Sequence, residues 1–107
     1  MTNNKRESGY NITVTKVLAY VAKIYVLRGR VQGVGFRYYV ERAANSLRLT
    51  GYVRNLDDGT VEVYAIGSPE RLSDLAGLLW KGPPTADVRG VDVRDAAIEK
   101  CHGFSTR

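Results

Sequence analysis

Residues 22–47 read AKIYVLRGRVQGVGFRYYVERAANSL, and the change of period inside this stretch decides the fold. Ala22 to Arg28 is dense in branched and aromatic residues, which suit a pleated surface and predict a strand. Phe36, Val40, Ala43 and Leu47 then recur at steps of four, three and four, the spacing of one helical face. Between the two runs lies a loop, Gly29 to Gly35, holding three glycines in seven residues. The stretch therefore predicts a strand, a loop able to curl tightly, and a helix.

Outward from it the pattern continues. Gly51 to Leu56 is short and extended, and Asp57-Asp58-Gly59 supplies the chemistry of a hairpin turn. Val61, Val63 and Ala65 alternate with Glu62 and Tyr64, which predicts a strand with one buried face. A second helix is punctuated at both ends. Ser68 suits the N-cap, Pro69 the first helical position and Glu70 the positive end of the dipole. Leu72, Leu75, Ala76 and Leu79 form its apolar stripe, and Gly82-Pro83-Pro84 ends it. A strand over Val88 to Arg94 and a short one over Phe104 to Thr106 complete the series. The order β-α-β-β-α-β predicts an α+β, ferredoxin-like sandwich, an antiparallel sheet with two helices on one face.

Size and composition narrow the function classes. A chain of 107 residues holds one domain and not two independent cores. Residues 2–9 are polar and read as a tail. Residues 12–22 are apolar but broken by Lys16, well short of the roughly 20 residues of a membrane span. No cleavage site for a signal peptide follows them. The expected organisation is a partly disordered N-terminal extension over 1–21 and one domain over 22–107. One cysteine, Cys101, excludes an internal disulfide and fits a reducing cytoplasm. Cys101 and the single histidine, His102, are too few ligands for a structural zinc, so we expect no metal, and read the pair as a turn before the last strand.

The net charge of +5 is unevenly spread. Residues 16–54 carry eight bases against Glu41 alone, whereas residues 55–107 carry six bases against nine acids. An anionic ligand is thus drawn to the first half of the domain. The loop there has the parts of an oxyanion cradle. Its glycines let backbone amides approach a ligand, and the helix after it begins with amides lacking internal partners. Arg37, in the first helical turn, adds a guanidinium able to grip the same anion in two places. A plain glycine-rich connector with a surface arginine is the alternative. Neither of the common phosphate signatures matches. Gly35-Phe36-Arg37 lacks the lysine of a Walker loop, and Tyr38 stands where a dinucleotide fingerprint needs a small residue. A second landmark, Asn55, falls at a strand end just before the hairpin turn. It is either a turn residue bonding its own backbone or a neutral amide that orients a water.

Val31-Gln32-Gly33-Val34-Gly35-Phe36-Arg37, together with Gly51-x-Val53-x-Asn55-x-x-Asp58-Gly59-x-Val61, resembles the paired signature of the acylphosphatases. The likeness covers roughly residues 22–106. It implies hydrolysis of acyl phosphates to carboxylate and inorganic phosphate, without metal or cofactor. It also implies the site residues: Arg37 and the backbone of Gln32, Gly33, Val34, Gly35, Phe36 and Arg37 bind the phosphoryl group, and Asn55 positions the attacking water. Leu56 stands where some relatives have a threonine, so any role for that hydroxyl is absent here. No histidine, and no carboxylate within either motif, offers an obvious general base, so the water's proton is expected to pass to the substrate's own phosphate. Glu41, one helical turn beyond Arg37, either orients it or is a solvated surface charge.

The expected partner is a small acyl phosphate bound by a monomer, with no nucleic acid and no membrane. The rival from another class is RNA binding, because Tyr52-Val53-Arg54-Asn55-Leu56 resembles a strand motif of RNA-recognition domains. Such a domain also needs aromatics on a neighbouring strand, and Arg89-Gly90-Val91-Asp92-Val93 has none. Similar modules also form part of hydrogenase-maturation carbamoyltransferases, whose other domains this chain has no room for.

Overall fold

The computed structural model describes residues 20–107. The reading of residues 2–9 as a tail lies outside the described residues, as does that of the apolar run 12–22 up to residue 19, whereas Val21 and Ala22 at its end open the first strand. The elements follow the expected order: β1 (Val21–Arg30), α1 (Phe36–Ser46), β2 (Thr50–Asn55), β3 (Val61–Gly67), α2 (Pro69–Lys81), β4 (Asp87–Ala96) and β5 (Phe104–Thr106).

The sheet runs β4-β1-β3-β2-β5. Its first four strands pair antiparallel, as the α+β reading requires. The short β5 extends the sheet at the far edge and pairs parallel with β2, so the whole sheet is mixed. Both helices pack on one face. The main core fills the space between, with Tyr25, Leu27, Phe36, Val40, Val53, Val63, Leu72, Leu75 and Leu79 all buried.

Three details depart from the sequence reading, each for a packing reason. First, β1 runs on through Gly29 and Arg30, because a register shift between Arg28 and Gly29 lets the strand continue against Val88 and Asp87. A bulge of this kind bends its strand and re-aims the chain, here into the glycine loop. Second, the buried line of α1 is Phe36, Val40 and Ala44, while Ala43 and Leu47 are only partly buried. The helix shares its sheet face with α2, so Ala43 turns to a groove lined also by Leu78 and Pro83. Third, β3 is buried on both faces rather than one, from Val61 to Gly67. It sits centrally between β1 and β2, and the chain before β5 crosses its outer side. There the Tyr64 hydroxyl donates to the Ala97 carbonyl at 2.6 Å and accepts from the Glu99 N–H at 2.8 Å. Ala22, Tyr64 and Ile66 form a small second core on that face, with Cys101 packed against it. His102 lies in the bend before β5. Among the described residues, no helix is long and apolar enough to cross a membrane.

Candidate active site

The loop from Val31 to Gly35 is held at both ends by side chains that point inward. Val31 and Phe36 are buried in the main core. Between them the backbone bends through Gly33 (φ 73) and Gly35 (φ 76), values in the left-handed region where an L side chain is strained. A methyl group added at either glycine would meet nothing within 4 Å, so space is not the reason for them. Conformation is: the left-handed turn at Gly35, the N-cap, delivers the chain into α1. The first bond of that helix runs from the Tyr39 N–H to the Gly35 carbonyl at 3.1 Å. The amides of Phe36, Arg37 and Tyr38 precede it and have no intrahelical partner.

Two further bonds hold the loop against its neighbours. The Gln32 side-chain amide donates to the carbonyls of both Leu56 and Thr60, each at 2.8 Å. These carbonyls flank the β2–β3 turn, so Gln32 fastens the loop to the hairpin that carries Asn55. On the other side the Thr85 hydroxyl donates to the Val34 carbonyl at 2.7 Å.

The result is a cavity of about 330 Å³ lined by Gly33, Gly35, Arg37, Tyr38, Glu41, Asn55 and Thr106, together with the buried Val31 and Phe36. The structure thus brings Arg37 and Asn55, which are 18 positions apart in sequence, to one cavity. Gln32 and Val34 serve as the loop's fastenings, and their side chains are not part of the lining. Arg37 donates from Nη1 to the Arg107 carbonyl at 2.7 Å. Asn55 is exposed, and its side chain makes no hydrogen bond with a described residue. The turn after it is closed instead by Asp58, whose carboxylate accepts from the Thr60 N–H at 3.0 Å and the Thr60 hydroxyl at 2.6 Å. Those bonds hold the Asp58 carboxyl below the usual carboxylate range. The turn-shaping alternative for Asn55 therefore has no bond to rest on. Glu41 lines the cavity but forms no ion pair with Arg37.

The outer sheet face carries a separate polar cluster. Arg54 donates to the Glu62 carboxylate at 2.7 Å, and the Tyr52 hydroxyl donates to the same oxygen at 3.2 Å. Burial and the Glu62 charge raise the Tyr52 pKa. Tyr52 stacks on Tyr64 with ring centroids 5.4 Å apart, and the Arg107 guanidinium lies 4.0 Å from its ring centre. The ring is already occupied by partners within the protein.

The family model for acylphosphatase matches residues 23–106 of this chain. A protein named acylphosphatase from Solibacter usitatus is 56% identical over 86 residues, which cover 80% of this chain and 90% of that protein. The chain belongs to the acylphosphatase family. An acylphosphatase structure from Coxiella burnetii superposes with a TM-score of 0.81 at 37% identity, over 86% of this chain and 97% of that one. The T. kodakarensis HypF structure also superposes (TM-score 0.70, 30% identity), over 82% of this chain but 12% of HypF, so the likeness is to one module of it.

Within this acylphosphatase-family chain, sequence reasoning reached the loop, Arg37 and Asn55. It did not reach Tyr38 or Thr106 as cavity residues, nor Arg107 as the partner of Arg37. Tyr38 had a signal, since it directly follows Arg37 in the first helical turn. Thr106 and Arg107 had none, because only the β2–β5 pairing brings the last strand beside the loop.

Proposed function

We propose that this chain hydrolyses acyl phosphates at the Arg37–Asn55 cavity, with the phosphoryl group in the loop and a water held by Asn55. The observation that carries the reading is the convergence of loop, helix start, Arg37 and Asn55 on one cavity. Phosphoryl transfer asks chiefly for positioning and for stabilisation of charge on the equatorial oxygens. The amides from Gln32 to Arg37, the start of α1 and the Arg37 guanidinium are suited to both. The water oxygen attacks phosphorus, the bond from phosphorus to the acyl oxygen breaks, and carboxylate leaves with the bonding pair. The water's proton passes to a phosphoryl oxygen of the substrate. A carboxylate is a good leaving group, so no protein acid has to protonate it.

The Arg37 contact with the Arg107 carbonyl supports this assignment, because it steers a long side chain before any ligand arrives and lowers the entropy lost on binding. The reading includes a monomer working in the cytoplasm, and the lone cysteine fits that reducing compartment. The same reading involves no metal, cofactor or RNA, and the engagement of the Tyr52 ring by Tyr64 and Arg107 supports the last of these.

The test is turnover of benzoyl phosphate against a phosphate monoester, after exhaustive chelation, with single-stranded RNA binding measured in parallel. Benzoyl phosphate is expected to be hydrolysed and the monoester spared. Preference for the monoester, or loss of activity on chelation, contradicts the proposal, as does submicromolar RNA binding at physiological salt that Tyr52→Ala abolishes.

A further inference from the structure

Resting on acyl phosphate hydrolysis at this cavity, we infer that Tyr38 is a platform for the acyl group and gives the enzyme a preference for aromatic acyl phosphates. With the phosphoryl group seated against the loop and Arg37, the acyl oxygen leaves opposite the water held by Asn55, so the lining open to the acyl substituent is Tyr38, Glu41 and Thr106. Of these, Tyr38 alone offers an extended apolar face. Tyr38 is 63% exposed, so its ring face is open to a ligand in the cavity it lines.

The other tyrosines of the folded core show what Tyr38 lacks. Tyr25, Tyr39, Tyr52 and Tyr64 each donate their hydroxyl to a protein acceptor. Tyr38 has no hydrogen bond to a described residue, and its ring is met by the Arg42 guanidinium, 5.8 Å from the ring centre and one helical turn on. That cation–π contact holds the ring without drawing it into the core.

Tyr38 and Gly35 also border a second groove of about 470 Å³, continued by Tyr39, Arg42, Leu78 and Pro83. The platform therefore joins the phosphate end of the site to a mostly apolar channel between the helices. Glu41 at the cavity adds the complementary bias, since its charge disfavours an acyl group that carries a second carboxylate. A flat ring stacked on Tyr38 satisfies all these walls. A two-carbon acyl group presents no ring face to Tyr38.

The experiment compares kcat/KM for benzoyl phosphate and for acetyl phosphate in the wild type, Tyr38→Ala and Tyr38→Phe, with the inhibition constant of inorganic phosphate measured for each. The benzoyl-to-acetyl ratio is expected to fall about 3–10-fold in Tyr38→Ala, the scale of a lost aromatic stack, and mainly through KM. It is expected to hold in Tyr38→Phe, which keeps the ring face, while phosphate inhibition is the same in all three. An unchanged ratio in Tyr38→Ala overturns the inference, and so does an equal loss in Tyr38→Phe. Because Tyr38 lies outside the core, unchanged phosphate inhibition certifies an intact site in each variant. Failure of the wild type to hydrolyse either substrate is a different result, which removes the parent reading itself.

Discussion

The two helices lie side by side on one face of the sheet, yet they begin in opposite ways. At the start of α2 the Ser68 hydroxyl accepts from the Arg71 N–H at 3.3 Å, Pro69 fills the first helical position, and Glu70 meets the positive end of the dipole. Each of these is the residue that local stability asks for. At the start of α1 the N-cap is Gly35 in a left-handed conformation, no side chain caps the amides, and the first turn has no acid. In place of an acid it has Arg37, a cation at the end of the helix where the dipole is already positive. Local rules are obeyed where the helix only has to fold and broken where we propose that an anion binds. The cost is offset by Phe36, Val40 and Ala44, whose burial anchors α1 without help from its cap.

The contrast yields predictions that separate activity from stability. The largest effect is expected at Arg37. Arg37→Ala should lower kcat/KM for benzoyl phosphate by roughly 10²–10³, as for loss of a preorganised charge stabiliser. Its thermal midpoint should stay close to wild type, because the lost bond to Arg107 is exposed and a misplaced helix charge goes with it. Inorganic phosphate should raise the midpoint of the wild type but not of this variant. A variant that keeps its turnover, or one that unfolds, erases the distinction between the two helix starts.

Asn55→Ala comes next. Its kcat should fall more than about tenfold, equivalent to roughly 1.4 kcal/mol in the barrier. Stability and phosphate affinity should be unaltered, since the Asn55 side chain makes no hydrogen bond with a described residue and Asp58 closes the turn. A drop in thermal midpoint with normal turnover in the folded fraction returns Asn55 to a turn-shaping role.

The smallest effect belongs to α2 and should be its mirror image. Ser68→Ala should cost about 1 kcal/mol of stability, measured by urea denaturation, while kcat/KM and phosphate inhibition are unmoved. Loss of activity there without loss of stability would mean that the two helix ends are coupled rather than independent.

Periodicity made most of the architecture legible. The step from period two in Ala22–Arg28 to the spacing of Phe36, Val40 and Leu47 marks a strand and a helix, and Ser68-Pro69-Glu70 marks the second helix start to the residue. These signals are local, since they record which face of one element is apolar and which backbone groups need a cap. The glycines of the loop and Arg37 were legible for the same reason, as neighbours along a short stretch of chain.

The illegible features depend on residues far apart in the chain. Burial of both faces of β3 could not be read from its alternation, because Glu62 and Tyr64 are covered by Tyr52, Arg54 and the chain after β4. The same holds for the parallel pairing of β5 with β2, which sets Thr106 beside the cavity and the Arg107 carbonyl against Arg37. Gln32 shows the division within one residue. Its place in the glycine loop is a matter of sequence, while the two bonds that fasten the loop to the Asn55 hairpin exist only after the sheet has folded. The sequence by itself determined the elements and the chemistry of the loop, because both are written in adjacent residues. Only the tertiary structure decided which distant groups share the cavity, because that depends on strand pairing and packing rather than on any local pattern.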